Sequence, residues 1–331
     1  MTRGSLDYHL GDVSNSIVRG AGNNRVGVED VSLLGAHYGI SGSTLVSDSV
    51  AYLDVGPTID GQPTSRPATD NLIDFEDLIL FSLHFQTVSG PQASVTPTSP
   101  PSAPPGKGET FELAAPALVQ AGDEIEAVLR LTAAGSMQGF SAELGWDTSV
   151  LEPLGTVSGG FAESQGGLML SPRAGVADAV LLGVGASGFA GAGDVAHFRF
   201  RVKREGETAL HLKTVQARDA ANHVLDPAGL ASTLVAALPP HTLLLSPAPN
   251  PAHGQTHLAF ALAKAGPADL AIFSVDGRRV RTLVHGAHDA GAYRLVWKGE
   301  DDGGRAQSPG VYWAHLTADD QTFTRRIVFL K

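Results

Sequence analysis

The sequence has 331 residues with 34 acidic and 23 basic side chains, so its formal net charge of −11 disfavours nucleic acid and anionic membrane surfaces as partners. Cysteine is absent, which excludes disulfide frameworks, thiolate metal sites and cysteine nucleophiles. The length predicts two to three domains, and short apolar runs between 39 glycines and 20 prolines predict that they are mainly β. No run reaches the roughly 18–20 apolar residues of a membrane span.

A duplicated unit lies in the first predicted domain, residues 1–88. Residues 26–38 match residues 73–85 in register, including a Glu-Asp pair, several apolar positions, a His and an aromatic residue. Each copy predicts a helix with one apolar face. Asn and Asp residues precede both helices, and calcium prefers such oxygen ligands. The apolar faces comprise Val31, Leu33, Leu34 and Tyr38 in the first copy and Leu78, Leu80, Phe81 and Phe85 in the second.

With Asp-Asn-Leu-Ile-Asp at 70–74 directly before the second helix, the pair of copies resembles the two F-hand repeats of a type I dockerin. The resemblance implies a small α-helical domain with calcium as its cofactor. It also implies metal ligands at fixed loop positions. In the second loop these are Asp54, Asp70, the Leu72 carbonyl and Asp77, with Asp74 as a further candidate; in the first they are Asp12, Ser14, Asn23, the Arg25 carbonyl and Asp30.

Both loops depart from the dockerin pattern. From the first to the last candidate acid, they span 18 and 23 positions, where a 12-residue calcium loop spans about 11. Asn24 and Asn71 replace the turn glycine, and Gly27 stands where an acid or Asn is usual. The alternative is that these acids only cap the helices, which stabilises a helix N-terminus without metal.

Residues 89–108 consist largely of Pro, Ser, Thr and Gly. Such a segment favours extended conformations and builds no core, so we predict a spacer. Its Ser, Thr and Pro content also suits O-glycosylation.

Residues 109–238 predict short alternating strands, for example at Glu126–Leu131 and Val195–Val202. Four stretches together resemble a cohesin, namely 120–123, 139–153, 192–202 and 217–222. The resemblance implies a flattened jelly-roll sandwich that binds a dockerin on one sheet face and performs no chemistry. A generic immunoglobulin-like sandwich remains the alternative.

Within residues 240–331, strands are predicted at Leu270–Ser274 and Arg294–Trp297, and Asp276-Gly277 predicts a hairpin turn. Five stretches, namely 249–251, 272–283, 291–303, 309–312 and 325–331, together resemble the immunoglobulin-like (Ig-like) C-terminal domains of secreted proteins, including type IX sorting domains and the flagellar hook-capping protein. A sorting role and a retained structural role both fit this resemblance.

We predict no catalytic residue, and therefore no enzyme. The pairs His253/His257 and His285/His288 are expected on the surface, and turn chemistry explains Asp301-Asp302. Neither a phosphate-binding loop nor a nucleophile elbow is present in the sequence.

The predicted fold class is therefore two β-sandwich domains preceded by a small α-helical calcium-loop domain. The leading hypothesis is a non-catalytic protein at the exterior or surface of a bacterium, which polymerises head-to-tail into a fibre or surface layer. Its partners are then other copies of itself or another cohesin or dockerin protein. The alternatives are a cellulosome-like scaffold or adaptor, closure of the dockerin-like domain onto the cohesin-like domain of the same chain, and carbohydrate binding. The N-terminus lacks a secretion-signal pattern, so an exported chain would begin after its signal or belong to a longer product.

Overall fold

The computed structural model of the chain describes residues 10–47, 49–86, 108–183, 188–225 and 231–330. Strands dominate, and the helices lie mostly in the first 86 residues, which confirms the predicted fold class. Nearly all of the predicted spacer lies outside the described residues, and so does the O-glycosylation predicted for it. Among the described helices, none is long and apolar enough to cross a membrane.

Residues 10–86 form a small helical unit, called here the N-terminal unit. Both predicted helices are present, and their apolar faces share one core in which Leu34 and Phe81 are completely buried. Val26 pairs with Phe85 across the two copies, so the start of the first copy is held against the end of the second. The helical segments are α1 (Val28–Ala36), α2 (Ser43–Ser47), a 3-10 turn (Ala51–Leu53) and α3 (Phe75–His84).

The first sandwich contains β1 (Thr110–Ala115), β2 (Leu118–Val119), β3 (Glu124–Ala134), β4 (Gly139–Gly145), β5 (Leu151–Ser158), α4 (Phe161–Ser164), β6 (Gly167–Leu170), β7 (Val176–Leu181), β8 (Ala190–Val202), β9 (Gly206–Glu207), β10 (His211–Arg218) and β11 (Ala231–Ala236). A five-stranded sheet has the order β11-β1-β3-β8-β5, and a four-stranded sheet has the order β10-β4-β7-β6. Strand β3 alternates buried and exposed residues, because one of its faces covers the core. Phe111, Phe140, Phe198 and Phe200 belong to that core.

The second sandwich contains β12 (Leu243–Leu244), β13 (Ala252–His253), β14 (Thr256–Leu262), β15 (Gly266–Ser274), β16 (Arg279–His288), β17 (Gly291–Trp297), β18 (Gly310–Ala318) and β19 (Gln321–Leu330). Its sheets have the orders β12-β14-β17 and β13-β19-β18-β15-β16. Trp297 is buried at the centre, with its ring centroid 5.0 Å from that of Tyr312 and 5.2 Å from that of Phe329. The predicted turn at Asp276-Gly277 joins β15 to β16, and Gly277 adopts the positive φ of 83° that such a turn requires.

The two sandwiches are joined by an apolar contact with ionic pairs beside it. Leu118 of the first sandwich is buried in one cluster with Leu243, Leu245 and Ala261 of the second. Arg294 Nε lies 2.8 Å from Glu207 Oε1, and Arg325 Nη2 lies 3.1 Å from Glu205 Oε2. The apolar cluster excludes water, whereas the half-exposed ionic pairs contribute little energy.

Candidate functional site

The candidate site is the contact between α3 and the four-stranded sheet β10-β4-β7-β6, called here the acceptor sheet. Helix α3 begins with a capping box, in which the Asp74 carboxylate accepts from the Glu76 N–H at 3.0 Å. In return, the Asp77 carboxylate accepts from the Asp74 N–H at 2.9 Å. Every residue from Leu78 to His84 is buried. The helix is therefore covered by the acceptor sheet as well as by its own unit.

Ile79 forms the apolar centre of this contact. A Cβ atom at Gly139 would lie 2.8 Å from both Ile79 Cδ1 and Val180 Cγ1, so the glycine makes room for the isoleucine against the sheet. Val180 belongs to the same apolar cluster as the core of the N-terminal unit. At the end of α3, the Gly183 N–H donates to the Ser82 carbonyl at 2.9 Å. The core of the N-terminal unit thus continues onto the acceptor sheet.

Polar contacts surround this apolar centre and join side chains that are far apart in the sequence. Each links the N-terminal unit to the first sandwich, so together they fix its orientation. They are Arg218 Nη2 to Glu76 Oε1 (2.9 Å), Tyr38 Oη to Asp178 Oδ2 (2.7 Å) and Asn222 Nδ2 to the Gly61 carbonyl (2.9 Å).

The last candidate acid of each loop makes the same contacts in both copies. Asp30 Oδ1 accepts from the backbone N–H groups of Val13 (2.8 Å) and Ser14 (2.7 Å), and its Oδ2 accepts from the Gly27 N–H (2.7 Å). These bonds tie the start of the loop to the start of the helix. In the second copy, Asp77 accepts in the same way from the N–H groups of Val55 (2.7 Å), Gly56 (2.7 Å) and Asp74 (2.9 Å).

The other candidates of the first loop also have partners within the protein. Asp12 accepts from the N–H groups of Asn23 and Asn24 at 2.7 Å, one on each carboxylate oxygen. Ser14 Oγ accepts from the Ser16 N–H at 3.2 Å, and Arg25 is exposed. Asn23 uses its side-chain amide to donate to Glu29. The first loop therefore leaves no buried carboxylate oxygen without a partner.

The second loop differs in this respect. Asp54 Oδ2 accepts from the Asn71 N–H at 2.9 Å, but Asp54 Oδ1 is buried and no donor among the described residues meets it with hydrogen-bond geometry. Asp70 accepts from the Leu72 N–H at 3.0 Å. A buried oxygen without a donor is costly unless a proton or a cation meets it. The second loop thus fits a calcium ion better than the first.

Burial raises the pKa of three of the candidate acids. It raises the pKa of Asp77 to about 8, although three backbone N–H groups favour the charged form. Burial also raises the pKa of Asp30 and Asp54. Within the described residues, no three acidic or His side chains converge closely enough to hold a metal ion directly. Calcium at the ten candidate residues therefore stays a prediction.

Sequence reasoning did not identify Ile79, Asp178 or Arg218 as contact residues, although two of them left a signal. Asp178 is a single acid within an apolar strand, which is unusual for a residue facing solvent. Ile79 stands where the first copy has Ser32, so the second helix is apolar on an additional face. Both features indicate that the side chain is buried, but neither indicates which surface covers it.

Comparison with protein families gives a match in the second sandwich, where the model of the FlgD Ig-like domain matches residues 248–322. This agrees with the hook-capping resemblance of the predicted C-terminal domain. No curated protein matches the chain at a significant level.

Among solved structures, the chain is similar to a non-cellulosomal cohesin from Archaeoglobus fulgidus, with 16% identity, 38% of this chain and 88% of that chain covered, and a TM-score of 0.29. A type I cohesin–dockerin complex from Clostridium thermocellum matches with 12% identity, coverage of 40% and 92%, and a TM-score of 0.30. A type II cohesin from Bacteroides cellulosolvens matches with 12% identity, coverage of 39% and 99%, and a TM-score of 0.33. These likenesses assign no partner to this chain.

Proposed function

We propose that this protein is a non-catalytic assembly protein in which the N-terminal unit is a donor and the acceptor sheet is its receptor. The observation that carries the proposal is the seating of Ile79 on the acceptor sheet at Gly139, within a core shared by both parts. A chain with both halves of one contact makes that contact within itself, or with its neighbours in a fibre or surface layer. The dockerin-like and cohesin-like sequence patterns support this division of roles.

The contact within one chain is the closed form, and the same surfaces used between chains give the head-to-tail polymer. The interface has an apolar centre and a polar rim, which is the usual composition of a specific protein–protein contact. Export to the cell exterior, calcium binding and the absence of catalysis belong to the same proposal. The Ig-like C-terminal sandwich would then be either a sorting domain or a retained structural domain.

The test is cross-linking through two introduced cysteines, which are the only thiols because the chain has no cysteine of its own. Asp60 and His223 are exposed and adjoin the Gly61–Asn222 contact. The variant with Asp60→Cys and His223→Cys is treated with a short bismaleimide over a range of dilutions. We expect cross-linking within one chain for the closed form, and between chains for the polymer.

The control pair is Asp60→Cys with Asp320→Cys, since Asp320 is exposed in a hairpin turn of the second sandwich. Cross-linking of the first pair no greater than that of the control pair would contradict the proposal. Dilution separates the two arrangements, because only the contact between chains weakens with dilution.

A further inference from the structure

The second loop of the N-terminal unit contains an extra segment, residues 58–67, called here the insert loop. Its two ends pair as neighbouring strands. Within it, the Gly61 N–H donates to the Thr58 carbonyl at 3.2 Å, and the Gln62 N–H donates to Asp60 Oδ1 at 3.0 Å. The Gln62 N–H shares a peptide group with the Gly61 carbonyl. The insert loop therefore fixes the direction of that carbonyl by its own hydrogen bonds.

The turn after β10, residues 219–223, lies opposite the insert loop and is called here the acceptor turn. The Asp219 carboxylate accepts from the N–H groups of Ala221 at 2.9 Å and His223 at 2.8 Å. Asn222 adopts a φ of 64° in this turn, a conformation that Asn tolerates better than most residues. All of these bonds lie within the first sandwich, so the acceptor turn is formed without help from the N-terminal unit.

The two segments meet through side chains of the acceptor. Asn222 Nδ2 donates to the Gly61 carbonyl at 2.9 Å, and Asn222 is only 6% exposed. Arg218 donates from Nη1 to the Asn222 carbonyl at 3.4 Å and from Nη2 to Glu76 Oε1 at 2.9 Å. Arg218 and Asn222 thus form one group, which contacts the start of α3 and the insert loop together.

We propose that the insert loop recognises the acceptor turn, so that the N-terminal unit selects the acceptor sheet of this protein over a sheet without the Arg218–Asn222 group. The inference rests on the proposed function and names the partner of the donor. A sheet without a donor at this place would cover the Gly61 carbonyl and leave it unpaired, and such a loss discriminates strongly between partners. Because both segments are formed in advance, little ordering opposes the contact.

The proposal also accounts for the length of the second loop. A 12-residue calcium loop has no need of residues 58–67, and their hydrogen bond to the first sandwich gives them a separate role.

The experiment follows the seating of α3 in the full-length chain through a thiol introduced by Ser82→Cys, which is the only thiol in that protein. Ser82 is completely buried, and its carbonyl accepts from the Gly183 N–H of the first sandwich. A maleimide therefore reaches this thiol when α3 leaves the acceptor sheet. The labelling rate measures the fraction of open chains.

Asn222→Gly removes the side-chain donor and keeps the turn, because glycine adopts a positive φ without strain. In the Ser82→Cys chain it should speed labelling about fivefold, which is the effect expected for the loss of one hydrogen bond. Asn222→Asp should speed labelling at least as much, because a carboxylate oxygen then faces the Gly61 carbonyl. The matched control is His223→Asp, which adds the same charge on an exposed neighbour and keeps the original rate.

A second chain has a shortened insert loop, in which Asn-Gly replaces residues 60–65. The Ile59 N–H donates to the Arg66 carbonyl at 3.0 Å, so a two-residue turn can close the remaining ends. Shortening alone should also speed labelling. Asn222→Gly should then have no further effect, since its partner is absent.

Labelling that is no faster in Asn222→Gly than in the Ser82→Cys parent would overturn the inference. So would an equal acceleration by Asn222→Gly in the full and the shortened chain, because Asn222 would then act only within the first sandwich. In both cases slow labelling of the parent shows that α3 is seated, and the proposed function stands. If the Ser82→Cys thiol reacts as fast as an exposed Asp320→Cys thiol, α3 is not seated and the proposed function itself fails.

Discussion

At the scale of single residues, Asp30 and Asp77 tie the start of each long loop to the start of the following helix. The sequence predicted these acids as metal ligands or helix caps. The capping role is visible in the N–H group of the N-cap residue that each accepts, from Gly27 or Asp74, whereas the other two N–H groups belong to the start of the loop. A carboxylate oxygen has more than one lone pair, so these bonds and a calcium ion are compatible.

We expect Asp77→Asn to lower the free energy of unfolding by about 1–3 kcal/mol even in chelator. The asparagine amide places an NH₂ group where a carboxylate oxygen accepted a hydrogen bond. At least one backbone N–H group then stays buried without an acceptor. Urea unfolding with chelator and with calcium checks this. A loss of stability that appears only with calcium would contradict the tying role and support ligation alone.

Asp301 gives a pH-dependent prediction in the second sandwich. The backbone N–H of Arg305 lowers the pKa of Asp301, and the Gly303 N–H and the Arg305 side chain act in the same direction. A lowered folded-state pKa stabilises the fold above the unfolded-state pKa, and that stabilisation is lost as pH falls through the folded value. Asp301→Asn should therefore lower the melting temperature at pH 7 and have little effect near pH 2.

Thermal unfolding between pH 2 and 7 measures this difference, with Asp320→Asn as an exposed control. If Asp301→Asn lowered the melting temperature equally at pH 2 and pH 7, the shape of the Asp301 side chain and not its charge would stabilise the turn.

At the scale of elements, helix α3 is the duplicated helix that gained a second apolar face. Both helices were predictable from the spacing of their apolar residues, because a face buried inside its own unit has a 3.6-residue period. The additional apolar face of α3 results from Ile79, because the corresponding residue of α1 is the polar Ser32.

Ile79→Ala should cost about 2–5 kcal/mol of unfolding free energy, because it leaves a cavity between α3 and the acceptor sheet. The matched control is Ser32→Ala, an exposed position of α1, which should leave stability unchanged. Urea unfolding measures both variants. Similar effects of the two substitutions would contradict the seating of α3 described above.

Gly139→Ala tests the same contact from the opposite side. Its Cβ atom would lie 2.8 Å from the end of the Ile79 side chain, and such overpacking costs about 1–3 kcal/mol. The double variant with Ile79→Ala should recover part of that loss, because the smaller side chain makes room. Strictly additive losses in a double-mutant cycle would show that the two residues do not touch.

At the scale of the whole molecule, Leu118 joins the two sandwiches. It is completely buried and packs with Leu243, Leu245 and Ala261, whereas the neighbouring ionic pairs are partly solvated. The second sandwich is thus held to the first mainly by apolar contact.

We expect Leu118→Ala to uncouple the two sandwiches, so that a single calorimetric transition separates into two. The control is Leu238→Ala, since Leu238 is 67% exposed in the segment between the sandwiches. Scanning calorimetry checks this, and an unchanged single transition in Leu118→Ala would place the coupling elsewhere.

The sequence by itself determined the mainly β class, the duplicated helices, the strands and the turn at Asp276-Gly277. Each depends on the local chain, through the period of burial or the φ angle that a turn requires. It also determined the candidate acids of the two loops. Only the tertiary structure decided that α3 lies on the acceptor sheet and that Asp178 meets Tyr38. Tyr38 and Asp178 are 140 positions apart in the sequence, and no local pattern specifies which distant surface covers a buried side chain.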